Sequence, residues 1–298
     1  MEKRILGRTG MAVTVLGFGA AEIGYENVPL ERVQQILQGA LDAGLNVIDT
    51  AECYPGSEEM IGRALSGRRR EFFLFTKCGH ASGFDLPDWD PLMLERQIDR
   101  SLQRLRTEAV DLVQLHSCSQ ELLERGDVIR LLDQARAAGK ARFLGYSGDA
   151  AAARYAVETG VFDTLQTSVS IADQEAIDLT LPLARQRNIG VIAKRPIANA
   201  AWKTGAKPAS PYHHEYWRRL EILKYGFLDH DVNRAVSVAL RFTLAQQGVA
   251  TAIVGTTRPG RWASNAKLLE AGPLSAAEIE AIRGRWREAS TPDWVGQT

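Results

Sequence analysis

The sequence predicts a (β/α)8 barrel, the α/β fold in which eight parallel strands, each followed by a helix, close into a cylinder. Short continuous apolar runs, typical of strands buried on both faces, recur along the chain. Amphipathic helical patterns separate these runs, and eight such units occupy about 250 residues, the usual size of this barrel. No linker or low-complexity segment divides the 298 residues, so we predict one domain spanning residues 1–298.

The elements follow in chain order. Residues 3–6 and 12–15 flank a glycine-containing turn and predict a small hairpin before the barrel. The predicted barrel strands are residues 15–19, 47–49, 72–77, 110–116, 141–147, 164–167, 190–194 and 250–255. The predicted helices are residues 30–43, 57–65, 92–106, 121–138, 150–159, 180–187, 232–246, 260–270 and 275–288. Ser57 is the predicted N-cap of the second helix.

Two irregular stretches and one alternative fold complete this interpretation. Residues 79–91 and 197–230 lack a clear period, and the second stretch exceeds the about 15 residues usual for a connection. It predicts a lid, a pocket wall or a small added helix. A doubly wound open sheet is the alternative, because Gly17 and Gly19 end the first strand as in dinucleotide-binding loops. That fingerprint needs its third glycine at position 22, which is Glu22.

Composition narrows the class of function. Lys plus Arg and Asp plus Glu both total 36, so neither nucleic acid nor a membrane surface is an expected partner. No apolar run resembles a signal peptide or a membrane span, which predicts a soluble cytoplasmic protein. The three cysteines, Cys53, Cys78 and Cys118, form no even disulfide framework. We favour unpaired buried thiols and no metal, with a zinc hydrolase using these thiols and His116 as a remote alternative.

Four polar residues lie at or just beyond consecutive predicted strands. Asp49, Lys77 and His116 end the second, third and fourth strands, and Tyr54 follows the second. Strand ends of such a barrel meet at one face, so we expect these side chains to converge. A phenol has an ordinary pKa of about 10, and a cation such as Lys77 would lower it by about 1–3 units. Each residue alone has an ordinary structural explanation. The four residues together, in this order along the strands, indicate a catalytic site.

Four segments resemble the successive motifs of the aldo-keto reductase family: LGRTGMAVTVLGFG, NVIDTAECYPGSEEMIGRAL, FLFTKCG and VDLVQLHS. The likeness covers nearly the whole chain, and Asp49, Tyr54, Lys77 and His116 fill the family's catalytic Asp, Tyr, Lys and His positions. The resemblance implies a barrel with a hairpin at its base and an extended nicotinamide dinucleotide at the opposite face. It implies reduction of an aldehyde or ketone, with Tyr54 as general acid and His116 as hydrogen-bond donor to the same oxygen.

The resemblance also places the nicotinamide end of the cofactor. Ser147 and Gln166 would bind the carboxamide. Gly148 stands where most members have asparagine, and Lys194, in the segment AKRPIA with Arg195, stands where a tyrosine usually stacks on the ring. Lys194 and Arg195 are still expected to contact the cofactor, but this end of the site departs from the family pattern.

The segment AIVGTTRPGRWASNAKLL resembles the family's adenosine-phosphate segment. Gly255 and Thr256 end the eighth strand, where phosphates bind at a helix N-terminus. Arg261 would hold the 2′-phosphate of NADP, Asn265 would contact adenine, and Arg258 is a further phosphate ligand, since a guanidinium suits phosphate geometry. We therefore expect NADP rather than NAD, although Gly255 replaces a lysine found in many NADP-preferring members.

The predictions of the substrate and of an alternative function rest on less distinctive residues. Aromatic side chains would wall a pocket for a medium-sized apolar carbonyl compound: Tyr25, Phe84, Trp89, Trp202 and Trp294. Trp202 is also a candidate to replace the missing stacking aromatic. Gly148 and Lys194 favour an alternative, a regulatory module that binds the nicotinamide cofactor with little turnover, as barrel subunits of some potassium channels do by resemblance. The expected state is a monomer or a weak homo-oligomer.

Overall fold

The structure is a computed structural model, which describes residues 1–229 and 231–297. His230, the last residue of the second irregular stretch, and Thr298 lie outside the described residues. Strands β1 (Lys3–Ile5) and β2 (Ala12–Thr14) form an antiparallel hairpin. The barrel strands are β3 (Leu16–Gly19), β4 (Val47–Asp49), β5 (Phe73–Cys78), β6 (Val110–His116), β7 (Ala141–Ser147), β8 (Thr164–Ser168), β9 (Gly190–Lys194) and β10 (Val249–Val254).

These strands are parallel and close in the order β10-β3-β4-β5-β6-β7-β8-β9, so the predicted barrel is confirmed and the open sheet is excluded. The helices are α1 (Ala21–Tyr25), α2 (Leu30–Asp42), α3 (Ser57–Ala64), α4 (Pro91–Leu105), α5 (Gln120–Arg125), α6 (Asp127–Ala137), α7 (Ala150–Thr159), α8 (Glu175–Leu179), α9 (Leu181–Gln186), α10 (His214–Leu223), α11 (Val232–Ala245), α12 (Arg261–Leu268) and α13 (Ala276–Ala289). Short 3-10 turns span Gly7–Thr9, Arg69–Glu71, Ala198–Ala200, Pro211–His213, Gly226–Asp229 and Leu269–Ala271.

The hairpin closes the end of the barrel at which the strands begin. Leu6, Met11 and Val13 are buried against inward-facing residues of the barrel strands, including Phe75 and Leu112. Apolar side chains therefore fill the barrel from below. The open face is the one at which the strands end, and function is expected there.

The register of the sheet sets the candidate residues side by side at the open face. Gly19 pairs with Asp49 across β3 and β4, and His116 pairs with Ser147 across β6 and β7. Ser147 in turn pairs with Gln166. Residues far apart in the chain are thus neighbours on one rim because parallel strands end together.

Two local predictions are wrong, and both concern helix ends. The predicted helix 121–138 is two helices, because Gly126 adopts a left-handed conformation (φ 76°) between α5 and α6. Ser57 is not an N-cap; Gly56 holds that position, and the Ser57 hydroxyl instead hydrogen-bonds Ala20 O and Thr50 Oγ1. Helices α1 and α8 were not predicted, whereas α10 is the added helix expected in the second irregular stretch.

None of the helices in the described part of the chain is long and apolar enough to cross a membrane.

Candidate active site

A buried ion pair lies at the centre of the open face. Lys77 Nζ is 2.5 Å from Asp49 Oδ2 and donates to Thr50 O at 2.9 Å. The other Asp49 oxygen accepts from Gln166 Nε2 at 2.7 Å and Gln114 Nε2 at 3.2 Å. The Lys77 and Asp49 side chains are 1% and 2% exposed. Both charges are therefore desolvated, and each depends on the other for compensation.

Tyr54 and His116 pack around this ion pair. The Lys77 ammonium lies 5.2 Å from the centroid of the Tyr54 ring. The ring centroids of Tyr54 and His116 are 5.7 Å apart, in an edge-to-face arrangement. The structure thus brings Asp49, Tyr54, Lys77 and His116 into one cluster, with the ammonium at the phenol and the imidazole across from it.

The predicted lowering of the pKa of Tyr54 is wrong in this structure. Burial raises the pKa of Tyr54 well above its ordinary value, and the negative charge of Asp49 raises it further. Lys77 does not reverse this effect, because its charge is already compensated by Asp49 at 2.5 Å. Tyr54 is therefore a neutral phenol that can donate a hydrogen bond to a ligand, and its proton moves only when a much stronger base forms beside it.

His116 is also neutral at neutral pH. Burial lowers the pKa of His116 well below its ordinary value, and the positive charge of Lys77 and the neighbouring His80 ring act in the same direction. The His80 and His116 ring centroids are 5.2 Å apart. A neutral imidazole carries one N–H donor and one acceptor. His116 can therefore donate a single hydrogen bond to a substrate oxygen.

The residues expected at the nicotinamide carboxamide lie next to the ion pair. Ser147 Oγ donates to Gln166 Oε1 at 3.4 Å, and both side chains are buried. The departure at Gly148 has a packing reason. Any side chain at this position would overlap the Tyr146 ring, whose hydroxyl donates to Cys118 O at 2.6 Å. Tyr146 therefore excludes the family's asparagine from position 148.

Lys194 points into the rim of the barrel, where a carboxylate receives it. Lys194 Nζ lies 2.8 Å from Asp149 Oδ2. Asp149 Oδ1 also accepts from Thr167 Oγ1 at 2.8 Å and from Ser168 N at 2.7 Å. Asp149 was not predicted as a site residue, and the available signal was a carboxylate two residues after the predicted strand 141–147. Because Asp149 compensates its charge, the Lys194 side chain is held in place at the rim of the barrel.

Arg195, the next residue along the rim, forms hydrogen bonds with two distant segments. Its φ of 55° is left-handed, which is uncommon for a non-glycine residue. The guanidinium donates to Tyr212 Oη at 2.9 Å, to Ser168 Oγ at 2.9 Å and to the carbonyl of Gln297. The second irregular stretch and the C-terminal tail are thus both fastened beside Lys194.

The residues expected at the adenosine phosphates fit such a ligand. Asn265 is 3% exposed, and its Oδ1 has no hydrogen-bond partner within residues 1–229 and 231–297. Arg261 begins α12 and donates to Asn233 Oδ1 at 3.2 Å. Arg258 is exposed, and its backbone N–H donates to Thr256 Oγ1 at 3.1 Å. An orphaned amide oxygen and two arginines within the short segment 258–265 suit an adenine and its phosphate.

Gly255 has a neighbour that the sequence did not reveal. A side chain at position 255 would overlap the carboxylate of Glu22, which extends from α1 across the rim. Burial raises the pKa of Glu22, and in the described residues no cation lies within ion-pair distance of it. The carboxylate of Glu22 would have to move aside for the lysine that Gly255 replaces, and it opposes an anionic ligand at this part of the rim.

Two of the five aromatic residues proposed for the substrate pocket lie at the cluster. The Tyr25 ring centroid is 5.7 Å from that of Tyr54, and Tyr25 is 61% exposed. The Trp89 ring centroid is 5.5 Å from that of His80. These two residues therefore flank the approach to Tyr54 and His116.

The other three aromatic residues make contacts elsewhere. The Arg100 guanidinium lies 3.8 Å from the centroid of the Phe84 ring. Trp294 is buried against Trp286, with ring centroids 5.3 Å apart, in a hydrophobic cluster outside the barrel. Trp202 packs against that cluster and against the main core. The structure does not bring these three rings to the tetrad of Asp49, Tyr54, Lys77 and His116.

The cysteines do not assemble a metal site. All three are free, with Cys78 and Cys118 buried and Cys53 partly exposed. Within the described residues no group of three or more His, Cys, Asp or Glu side chains is arranged to hold a metal ion. Cys53 instead contacts His116, at 3.5 Å between Sγ and Nδ1.

Glu58 is a buried carboxylate behind the ion pair, and it links stability to pH. Its Oε1 accepts from Thr76 Oγ1 at 2.6 Å, and its Oε2 is 3.8 Å from Arg104. Burial raises the pKa of Glu58 to about 7, above the about 4.3 of an unfolded glutamate. The folded state thus binds more protons between these values, so its stability is highest at low pH and falls as the pH rises through about 7.

We expect Glu58→Gln to remove this dependence. Relative to the variant, the wild-type free energy of unfolding should fall by about 2–3 kcal/mol between pH 5 and pH 8. Urea unfolding at the two pH values measures the difference. Glu59→Gln, at an exposed position on the same helix, is the matched control and should behave as wild type. Identical pH dependence in wild type and Glu58→Gln would contradict the assignment.

The comparison with known proteins agrees with this geometry. The family model described as "Aldo/keto reductase family" matches residues 15–287. "Uncharacterized oxidoreductase YqkF" of Bacillus subtilis is 26% identical, with 97% of each chain covered. "L-galactose dehydrogenase" of Arabidopsis thaliana is also 26% identical, covering 100% of this chain and 99% of that one. Among solved structures, "aldo-keto reductase AKR11C1 from Bacillus halodurans (holo form)" superimposes with a TM-score of 0.84 at 26% identity, covering 99% of both chains.

Proposed function

The chain belongs to the aldo/keto reductase family and is a nicotinamide-dependent oxidoreductase, and we propose that it is an NADP-dependent enzyme that reduces an aldehyde or ketone to an alcohol, with Tyr54 as general acid. It acts on a small-molecule carbonyl compound, in the cytoplasm, as a monomer or weak homo-oligomer. The observation that carries the proposal is the buried Lys77–Asp49 pair beside Tyr54, with His116 opposite.

These residues have distinct roles in the proposal. A bound nicotinamide would supply the hydride, and negative charge would then grow on the carbonyl oxygen. Tyr54 and His116 are both neutral donors and can hydrogen-bond that oxygen together. An alkoxide is a far stronger base than an ordinary phenolate, so the raised pKa of Tyr54 still permits proton transfer to it. Lys77 stabilises the phenolate that remains, and Asp49 holds Lys77 in place.

The choice of NADP rests on the arginines at the adenosine end. Arg261 begins α12, Arg258 lies three residues before it, and Asn265 of the same helix has an amide oxygen without a partner among the described residues. A guanidinium pairs well with a phosphate. Glu22 opposes any anion at the neighbouring rim. Because the two arginines favour the 2′-phosphate, NADPH should still bind more tightly than NADH, and Arg261→Ala should reduce that preference. Equal affinities for the two cofactors in wild type would contradict the NADP assignment.

A turnover assay distinguishes the proposed enzyme from the alternative, a regulatory module. Pure protein is mixed with NADPH and an aromatic aldehyde such as 4-nitrobenzaldehyde, and the loss of NADPH absorbance is followed. Continuous oxidation over many turnovers is the expected result. NADPH binding without turnover across a broad panel of aldehydes and ketones would instead favour the module, for which the altered positions Gly148 and Lys194 are the specific observation.

A further inference from the structure

The thiol of Cys53 contacts His116, and the proposed reaction assigns no role to this contact. Cys53 lies in the turn after β4, directly before Tyr54, and its Sγ is 3.5 Å from His116 Nδ1. This is a hydrogen-bond distance for sulfur. In the described part of the chain it is the only hydrogen bond made by the His116 ring. Cys53 therefore determines the environment of one ring nitrogen of a tetrad residue.

The chemistry of the two groups favours one direction for this hydrogen bond. Burial raises the pKa of the Cys53 thiol to about 11, so the sulfur carries its proton at neutral pH. The imidazole of His116 is neutral as well. Sulfur is a weak acceptor, whereas an unprotonated imidazole nitrogen is a good one. The favoured arrangement is S–H donating to Nδ1.

The direction of this bond determines the tautomer of His116. In a neutral imidazole the nitrogen that accepts carries no proton, so the proton resides on the other nitrogen. The two ring nitrogens point in nearly opposite directions, and Nε2 thus faces away from Cys53. It has no partner among the described residues and is free to meet a ligand.

We propose that Cys53 is a positioning residue, which donates to Nδ1 of His116 and thereby keeps the imidazole proton on Nε2, facing the substrate oxygen. This inference rests on the proposed carbonyl reduction for its catalytic meaning. With the opposite tautomer, Nε2 would present a lone pair to the carbonyl oxygen and repel it. The thiol thus decides whether His116 assists or opposes the growth of negative charge.

The tautomer can be measured without any turnover. Protein labelled with [15N]histidine gives distinct Nδ1 and Nε2 shifts for the two tautomers, and the His116 signals among the five histidines are those lost in His116→Asn. We expect the Nε2–H form in wild type. In Cys53→Val, which has no donor, we expect a shift toward a mixture of tautomers. Cys53→Ser, whose hydroxyl can donate, should keep the Nε2–H form.

The kinetic readout follows the same pattern. Cys53→Val should lower kcat on the order of tenfold, the lower end of the effect seen when the hydrogen-bond partner of a metal-bound histidine is removed, with the Kd for NADPH unchanged. Cys53→Ser should retain most of the wild-type kcat. Cys118→Ser, a buried cysteine whose thiol contacts Ser119 O instead, is the matched control for the sulfur-to-oxygen exchange, and thermal unfolding checks that each variant is folded.

Two results would overturn the inference. One is a wild-type His116 with its proton on Nδ1. The other is a Cys53→Val protein that keeps the wild-type tautomer and kcat; Cys53→Ala serves in its place if valine prevents folding. Failure of the proposed reduction is a separate result, because wild type would then not oxidise NADPH while the tautomer spectrum would still report on Cys53.

Discussion

Replacing Tyr54 by phenylalanine is expected to lower kcat for carbonyl reduction by about two to four orders of magnitude, the usual range for loss of a general acid. The phenol is the donor adjacent to the buried ammonium of Lys77, and phenylalanine keeps the ring while removing only the proton and oxygen. Steady-state kinetics with NADPH and an aromatic aldehyde, together with the Kd for NADPH, measure the effect. The Kd should stay near the wild-type value because the ring still packs in place.

The control for this variant is Tyr155→Phe. Tyr155 lies on α7, packs against the core and makes no side-chain hydrogen bond within residues 1–229 and 231–297. It should retain wild-type kcat. If Tyr54→Phe kept more than about a tenth of the wild-type kcat, well above what loss of a general acid leaves, the proton would have to come from another group.

The second large effect is on stability, from breaking the central ion pair. Lys77→Met is expected to destabilise the protein by about 3–5 kcal/mol, because it leaves the carboxylate of Asp49 buried without its partner. Methionine is close to lysine in length, so the loss is chiefly electrostatic. Carbonyl reduction should also be lost, since the phenolate of Tyr54 then lacks the ammonium that lies 5.2 Å from its ring centroid. Urea or thermal unfolding measures the change.

A double variant isolates the electrostatic part. Asp49→Asn removes the orphaned charge and still offers an oxygen to the amides of Gln114 and Gln166. Asp49→Asn/Lys77→Met should therefore be more stable than Lys77→Met alone, although equally inactive. Additive losses from the two single substitutions would show that the charges do not depend on each other.

Much of the fold was predictable because its signals are local and periodic. Residues 110–116, for example, carry Val110, Leu112, Val113 and Leu115 in one buried strand, as a parallel sheet covered by helices favours. Every predicted end of a barrel strand lies within one residue of the observed end. Convergence of Asp49, Lys77 and His116 followed from topology alone, since parallel strands of a barrel end on one face. No side-chain detail was needed for that step.

The remainder depended on contacts between distant segments. Nothing near Lys194 in the chain indicates that Asp149 receives its ammonium, or that Glu22 occupies the space above Gly255. The pKa of Tyr54 was predicted in the wrong direction because the sequence shows the cation but neither the depth of burial nor the compensation by Asp49. The glycine at 126 was visible, but a single glycine inside a helical pattern is often tolerated.

The most direct test of the central claim, that Tyr54 gives its proton to the carbonyl oxygen as hydride arrives, is the rate of the first turnover measured in H2O and in D2O. Stopped-flow mixing of the NADPH complex with excess aldehyde reports NADPH oxidation in a single turnover. We expect the wild-type rate constant to be smaller in D2O, and the residual rate of Tyr54→Phe to lose that sensitivity. A wild-type rate that is the same in both solvents, or an equal solvent effect in Tyr54→Phe, would contradict the account.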